Sequence, residues 1–226
     1  VVNFKQWLST KTAIDSNLKQ RGFIMQEFIL NDTEDKKIIL TVEQDESPVS
    51  PREYDNLGTM VCFHGKYSLG DKHDINFNDY NSFDEMIADV VGDGICLPLY
   101  LYDHSGITMN TTGFSCPWDS GQIGFIYVSK KDIRENFMTK RITKEFKNRA
   151  LEILKWEVET YDQYLTGDIY SFIIEEFTKC PHCHVTDSEI IDSCSGFYGN
   201  DIETNGMLEH ISKEYNDSIM AQLQTA

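Results

Sequence analysis

The chain has 226 residues, of which 40% are hydrophobic and 12% aromatic, enough to bury a core and to exclude a disordered chain. Lys and Arg number 20 against 37 Asp and Glu, a formal charge of −17 at pH 7. That imbalance repels nucleic acid and anionic membranes at long range and draws basic proteins, so no direct nucleic-acid or membrane partner is expected.

The first segment spaces Phe4, Trp7, Leu8, Ile14 and Leu18 along one helical face, ended by Gly22. Its apolar residues are interrupted by Asn3, Lys5, Gln6, Ser9 and Lys11, so it lacks the apolar stretch of a secretory signal. Phe23–Leu30 and Lys36–Glu43 flank a polar loop and read as a hairpin. Residues 45–52 carry Pro48 and Pro51 with no periodicity, the best linker in the chain. The expected organisation is thus a helix–hairpin appendage over residues 1–45 and a main domain over 46–226.

The main domain opens with a strand over Thr59–His64. Ser82 caps a short helix to Val91, with Glu85 three residues on to complete a capping box. Ile95–Tyr102 and Ile107–Thr112 flank Asp103-His104-Ser105-Gly106, a tight-turn composition, and Gln122–Val128 forms a further strand. Ser129 caps a helix to Phe137, and Phe146, Ala150, Leu154, Val158, Tyr161 and Leu165 mark a long helix over 143–166. Ile169–Phe177 and Ser188–Asp192 pair around a cysteine turn, and Met207, Leu208, Ile211, Tyr215, Ile219 and Leu223 mark a last helix. The fold class is α+β, with a mainly antiparallel central sheet over 59–128 extended by 169–192, a long packed helix and a C-terminal helix.

Three constellations carry possible chemistry. Cys180-Pro181-His182-Cys183-His184, with Cys194 further on, has the look of a zinc knuckle, and one structural zinc on Cys180, Cys183 and Cys194 is the expected cofactor. The alternative is a hairpin tip with two reduced thiols. Cys116, His104 and Asp103 invite a nucleophilic triad, with Asp119 close by in the chain and His64, ending a neighbouring strand, able to approach Cys116 instead. If Ile107–Thr112 is a strand, however, it separates His104 from Cys116 by roughly 20 Å, against the hydrogen-bond reach a dyad needs. Convergence of these five residues favours an enzyme or nucleotide-binding protein, and scatter favours a binding protein. Third, carboxylates cluster on two helices: Asp84, Glu85 and Asp89 on the short one, Glu209, Glu214 and Asp217 on the last. Such faces can imitate the phosphate spacing of a duplex and occupy a basic cleft.

The blocks from Pro51 to Met60, Leu97 to Gly106 and Cys116 to Tyr127 resemble a widespread group of proteins carried by phages, prophages and plasmids. Tyr161–Gly167, Asp192–Cys194 and Gly196–Gly199 continue the likeness, which covers roughly residues 50–210. The resemblance implies a mobile-element origin, and a cytoplasmic location in the host cell is expected from the six cysteines, since a disulfide scaffold does not suit a chain with this much core. Joined to the acidic faces, the resemblance leads to the expectation of a non-enzymatic inhibitor that binds a host defence nuclease or DNA-handling protein, of the anti-CRISPR or anti-restriction type. The alternative is a hydrolase or nucleotide-binding protein with its site among His64, Asp103, His104, Cys116 and Asp119.

Overall fold

The computed structural model describes residues 24–224, so the expected N-terminal helix lies outside the described residues. The chain divides into two compact units, one built from residues 24–48 and 167–224, the other from 49–166. The architecture is α+β with antiparallel strands throughout, but the strands divide into two four-stranded sheets instead of one extended sheet. Among the described residues no helix is long and apolar enough to cross a membrane.

The discontinuous unit holds the strands β1 (Ile24–Asp32), β2 (Lys36–Gln44), β7 (Ile169–Lys179) and β8 (Thr186–Tyr198), in that order across the sheet. β2 and β7 pair without a break from Lys36↔Thr178 to Gln44↔Tyr170, which joins two hairpins far apart in sequence. Leu40, Val42, Phe172 and Ile174 from the central strands build a core with Phe28 and Phe197 from the edges. The last helix is two: α4 (Met207–His210) and α5 (Lys213–Leu223). Ile211 between them is extended, at φ −86° and ψ 142°, and its side chain is buried with Met207 and Ile219. Apolar spacing alone could not show that break, because both halves keep the same buried face. Gln222 on α5 ties down β1: its Oε1 accepts from the Ile29 backbone N–H at 3.1 Å and its Nε2 donates to the Ile29 carbonyl at 2.9 Å.

The continuous unit orders β3 (Thr59–Cys62), β6 (Ser120–Val128), β4 (Ile95–Asp103) and β5 (Ile107–Asn110) across its sheet. The period-2 pattern puts Met60, Leu99, Leu101 and Ile126 on one face, under Ala150, Leu154, Val158 and Tyr161 of α3 (Lys144–Thr166). Val61 and Phe125 face the other way, toward Met86 of α1 (Phe83–Val90). Ser82 caps α1 as expected, accepting from the Glu85 N–H at 3.2 Å, while Glu85 reaches back to the N–H of Asn81. Ser129 likewise caps α2 (Lys130–Asn136). Asp162 on α3 accepts from the Met109 N–H at 2.7 Å and the Thr108 hydroxyl at 2.8 Å, fastening β5 to the helix.

A buried ion network closes this unit. Arg52 donates to both oxygens of Asp71 at 2.8 and 2.7 Å, to Glu157 at 3.0 Å and to the Gly58 carbonyl. Glu157 also accepts from the Leu57 N–H, and Asp71 from the Met60 N–H, so the surplus lone pairs are used. Burial works against the Arg52 charge, yet the hydrogen bonds and charges of Asp71 and Glu157 hold its pKa above the ordinary value. Gly58 lies where a Cβ would overlap Leu154, which explains why the Pro51–Met60 block needs a residue without a side chain there.

Candidate functional site

The site is an edge of the β3-β6-β4-β5 sheet. Pairing of Tyr102 with Ser120 and of Asp103 with Ile107 brings the end of β4, the start of β5 and the start of β6 to one place. The Phe63 N–H donates to the Ile123 carbonyl at 2.7 Å, so the chain leaving β3 arrives at the same edge. The turn after β4 is closed by the His104 N–H on the Gly106 carbonyl, with Ser105 in the left-handed region at φ 59°.

The loop from β5 to β6 decides what gathers there. Asn110 Oδ1 accepts from the N–H groups of Thr112 and Gly113, turning the chain back toward the strand it has just left. The Phe114 ring then packs on Tyr102 at 5.6 Å, and the Asp103 N–H donates to the Asp119 carbonyl at 2.8 Å. Cys116 is therefore returned to the His104 end. Its Sγ donates to Asp119 Oδ2 at 3.6 Å, and His104 Nδ1 stands 3.7 Å from that same oxygen. The expected separation of His104 from Cys116 is overturned. It assumed that the chain runs on from the far end of β5, whereas the loop recrosses the length of that strand.

Asp103 links this trio to a second group. Its Oδ2 lies 3.5 Å from Lys66 Nζ, and its Oδ1 accepts from the Tyr67 hydroxyl at 3.4 Å. The contact with the Tyr67 hydroxyl, aided by Asp103, holds the Lys66 ammonium pKa above its ordinary value. His64 stacks on Tyr67 at 5.1 Å, and its Nδ1 accepts from the backbone N–H groups of Lys66 and Tyr67. Those two donors leave the proton of the neutral His64 ring on Nε2. Residues 62–73 line an open depression of about 500 Å³, whose rim carries His64, Lys66, Lys72 and His73. Of its charged lining residues, Asp71 is paired with Arg52 and Lys66 with Asp103, while Lys72 has no ion pair among the described residues.

All five residues His64, Asp103, His104, Cys116 and Asp119 thus share one edge, with Lys66, Tyr67 and Lys72 added by the structure. Cys116-Pro117-Trp118 reads in the sequence as a packed loop, but Trp118 is 92% exposed there. A tryptophan one residue from a charged turn was the available signal.

The other expected sites fare differently. Cys194 pairs with Phe172 on β7, whereas the cysteine turn begins after Lys179. Seven residues at about 3.3 Å each, roughly 23 Å, separate the two positions along the strand. Cys180, Cys183 and Cys194 therefore do not form one ligand set, and among the described residues no group of three His, Cys, Asp or Glu is arranged to hold a metal ion. Asp84, Glu85 and Asp89 are exposed on α1 in the continuous unit; Glu209, Glu214 and Asp217 are exposed on α4 and α5 in the discontinuous one. Glu85 is held below the usual carboxylate range, first by the Asn81 backbone N–H and then by the Asn81 side chain. The chain matches no family model, and neither the curated proteins nor the solved structures contain a significant match to it.

Proposed function

We propose that the protein acts through this sheet edge as a hydrolase or nucleotide-binding protein, on a ligand that joins a phosphate-like anion to a flat ring. The observation that carries the reading is the convergence of His64, Asp103, His104, Cys116 and Asp119 from three separate parts of the chain. Lys66 and Lys72 bring ammonium groups that draw an anion in spite of the net charge of the chain, and the neutral His64 ring adds an Nε2–H donor. Trp118 offers a free aromatic face, and stacking a base on such a face contributes about 1–3 kcal/mol. Asp119 faces His104 Nδ1, which leaves Nε2 to take a proton from water. Cys116 is hydrogen-bonded to the carboxylate and not to a ring nitrogen, so the working pair is His104 with Asp119 and the thiol is a neighbour. The test is a thermal-shift and phosphate-release assay with ATP, ADP and inorganic phosphate. Lys72→Glu should abolish the shift for all three, Trp118→Ala should remove the part that ATP has over phosphate, and His104→Gln should stop release while binding persists. Absence of both shift and release at millimolar ligand rejects the reading.

A second reading is supported by the exposure of all six carboxylates: a non-enzymatic inhibitor whose acidic helices, in the manner of DNA, occupy the basic cleft of a host nuclease or DNA-handling protein. Such capture should weaken steeply as salt rises. Reversal of Asp84, Glu85 and Asp89 to Lys, or of Glu209, Glu214 and Asp217 to Lys, should cost partner binding in a host pull-down. If neither triple variant changes it, the acidic faces are solvated surface.

A further inference from the structure

The Cys180–Cys183 turn plays no part in the sheet edge just described, and its geometry points to chemistry of its own. β7 ends at Lys179 and β8 begins at Thr186, so the two cysteines stand at the tip of the hairpin. The tip is a single helical turn: the His184 N–H donates to the Cys180 carbonyl and the Cys180 N–H to the Val185 carbonyl, both at 2.9 Å. His184 closes it in the left-handed region at φ 59°. Residues three apart in such a turn are neighbours, which sets Cys183 over Cys180. Pro181 contributes no N–H, so the first amides after it in the turn are those of His182 and Cys183.

This is the environment of a thiolate that is accessible and has a second thiol in reach. The Cys183 amide first, then the His182 amide and the Cys183 thiol, pull the Cys180 pKa below its ordinary value. Burial does the opposite to Cys62 and Cys96, whose thiols are pushed up to about 12 and about 11. Cys194, facing Phe172 well along the strand, competes for neither role.

We propose that Cys180 and Cys183 form a reversible dithiol–disulfide pair that exchanges with small-molecule disulfides of the glutathione class. The Cys180 thiolate attacks one sulfur of the disulfide, breaking its S–S bond, and the departing thiolate takes up a proton from water. Cys183 then loses its proton to solvent and attacks Cys180 Sγ in the mixed disulfide. The Cys180–Cys183 bond forms and a second small thiol leaves. The protein dithiol is oxidised by two electrons, and one disulfide becomes two thiols.

The experiment equilibrates the full chain with graded ratios of oxidised to reduced glutathione, quenches with acid, alkylates and maps the cysteines by mass spectrometry. The expected result is loss of alkylation at Cys180 and Cys183 together, reversed by excess reduced glutathione. Cys183→Ser should trap glutathione on Cys180, and Cys180→Ser should lose the adduct. Both substitutions lie at a hairpin tip, and an unchanged circular dichroism spectrum shows that the variants fold. The proposal is overturned if the pair stays fully alkylated in oxidised glutathione, if Cys183→Ser collects the adduct elsewhere, or if the purified protein retains one zinc that shields both thiols.

Discussion

Arg52, Asp71 and Glu157 meet at 2.7 and 3.0 Å inside the continuous unit, whereas Lys66, Asp103, His104 and Asp119 stand at 3.5 and 3.7 Å on its edge. The same kinds of side chain serve both clusters, and neighbouring blocks of sequence supply them. In the first, the Arg52 and Glu157 side chains are 5% and 3% exposed and nearly every lone pair is used. In the second, the His104 side chain is 64% exposed. A closed, saturated network holds a fold together and has nothing left to offer a ligand. The loose one contributes little to stability, and for that reason it has donors and acceptors to spare.

The sharpest way to break this contrast is Arg52→Ala. It leaves Glu157 buried without its cation, and the cost should be about 3–5 kcal/mol, read from the urea midpoint. Should the midpoint barely move, the buried network is not what closes the unit. Next in size is Gly124→Ala. A Cβ there would overlap the Val61 carbonyl oxygen on the paired strand β3, so about 1–3 kcal/mol should be lost as the two strands separate.

A third measurement uses pH. Burial first, then the charge of Asp71, pushes the Cys62 thiol from 9.0 up to about 12. The folded state therefore keeps a proton that the unfolded chain gives up, and stability is whole below about pH 9 and falls as pH rises toward about 12. Cys62→Ala should flatten that alkaline limb in urea titrations at successive pH values; an unaltered limb means that other groups set it. Smallest in stability is His104→Ala, at an exposed turn, which should change the folding free energy by less than about 0.5 kcal/mol while removing phosphate release. A large loss of stability there would move the edge cluster into the structural class.

Much of the local structure was legible in the chain. The Ser82 and Ser129 caps, the hairpin around Asp103–Gly106, the β7–β8 hairpin and the length of α3 follow from short-range rules: a side-chain oxygen meets an N–H three residues on, and apolar spacing tracks one face. Composition by itself determined that a core would form and that the surface would be acidic.

Pairing at long range was decided only in three dimensions. No local pattern in Lys36–Gln44 or Ile169–Lys179 announces that they lie side by side, because each needs only some strand of matching length and apolarity. The break at Ile211 hides for a related reason, since one buried face runs through both helical pieces. Cysteine spacing suggested that Cys194 could join Cys180, but strand register counts residues along β8 and holds them apart. Conversely, the spacing of His104 and Cys116 argued for separation, and a single loop, turned by Asn110 and anchored by Phe114, brought both onto Asp119. Sequence distance fixes reach only along an extended strand; where the chain doubles back, side-chain hydrogen bonds and ring packing decide which residues meet.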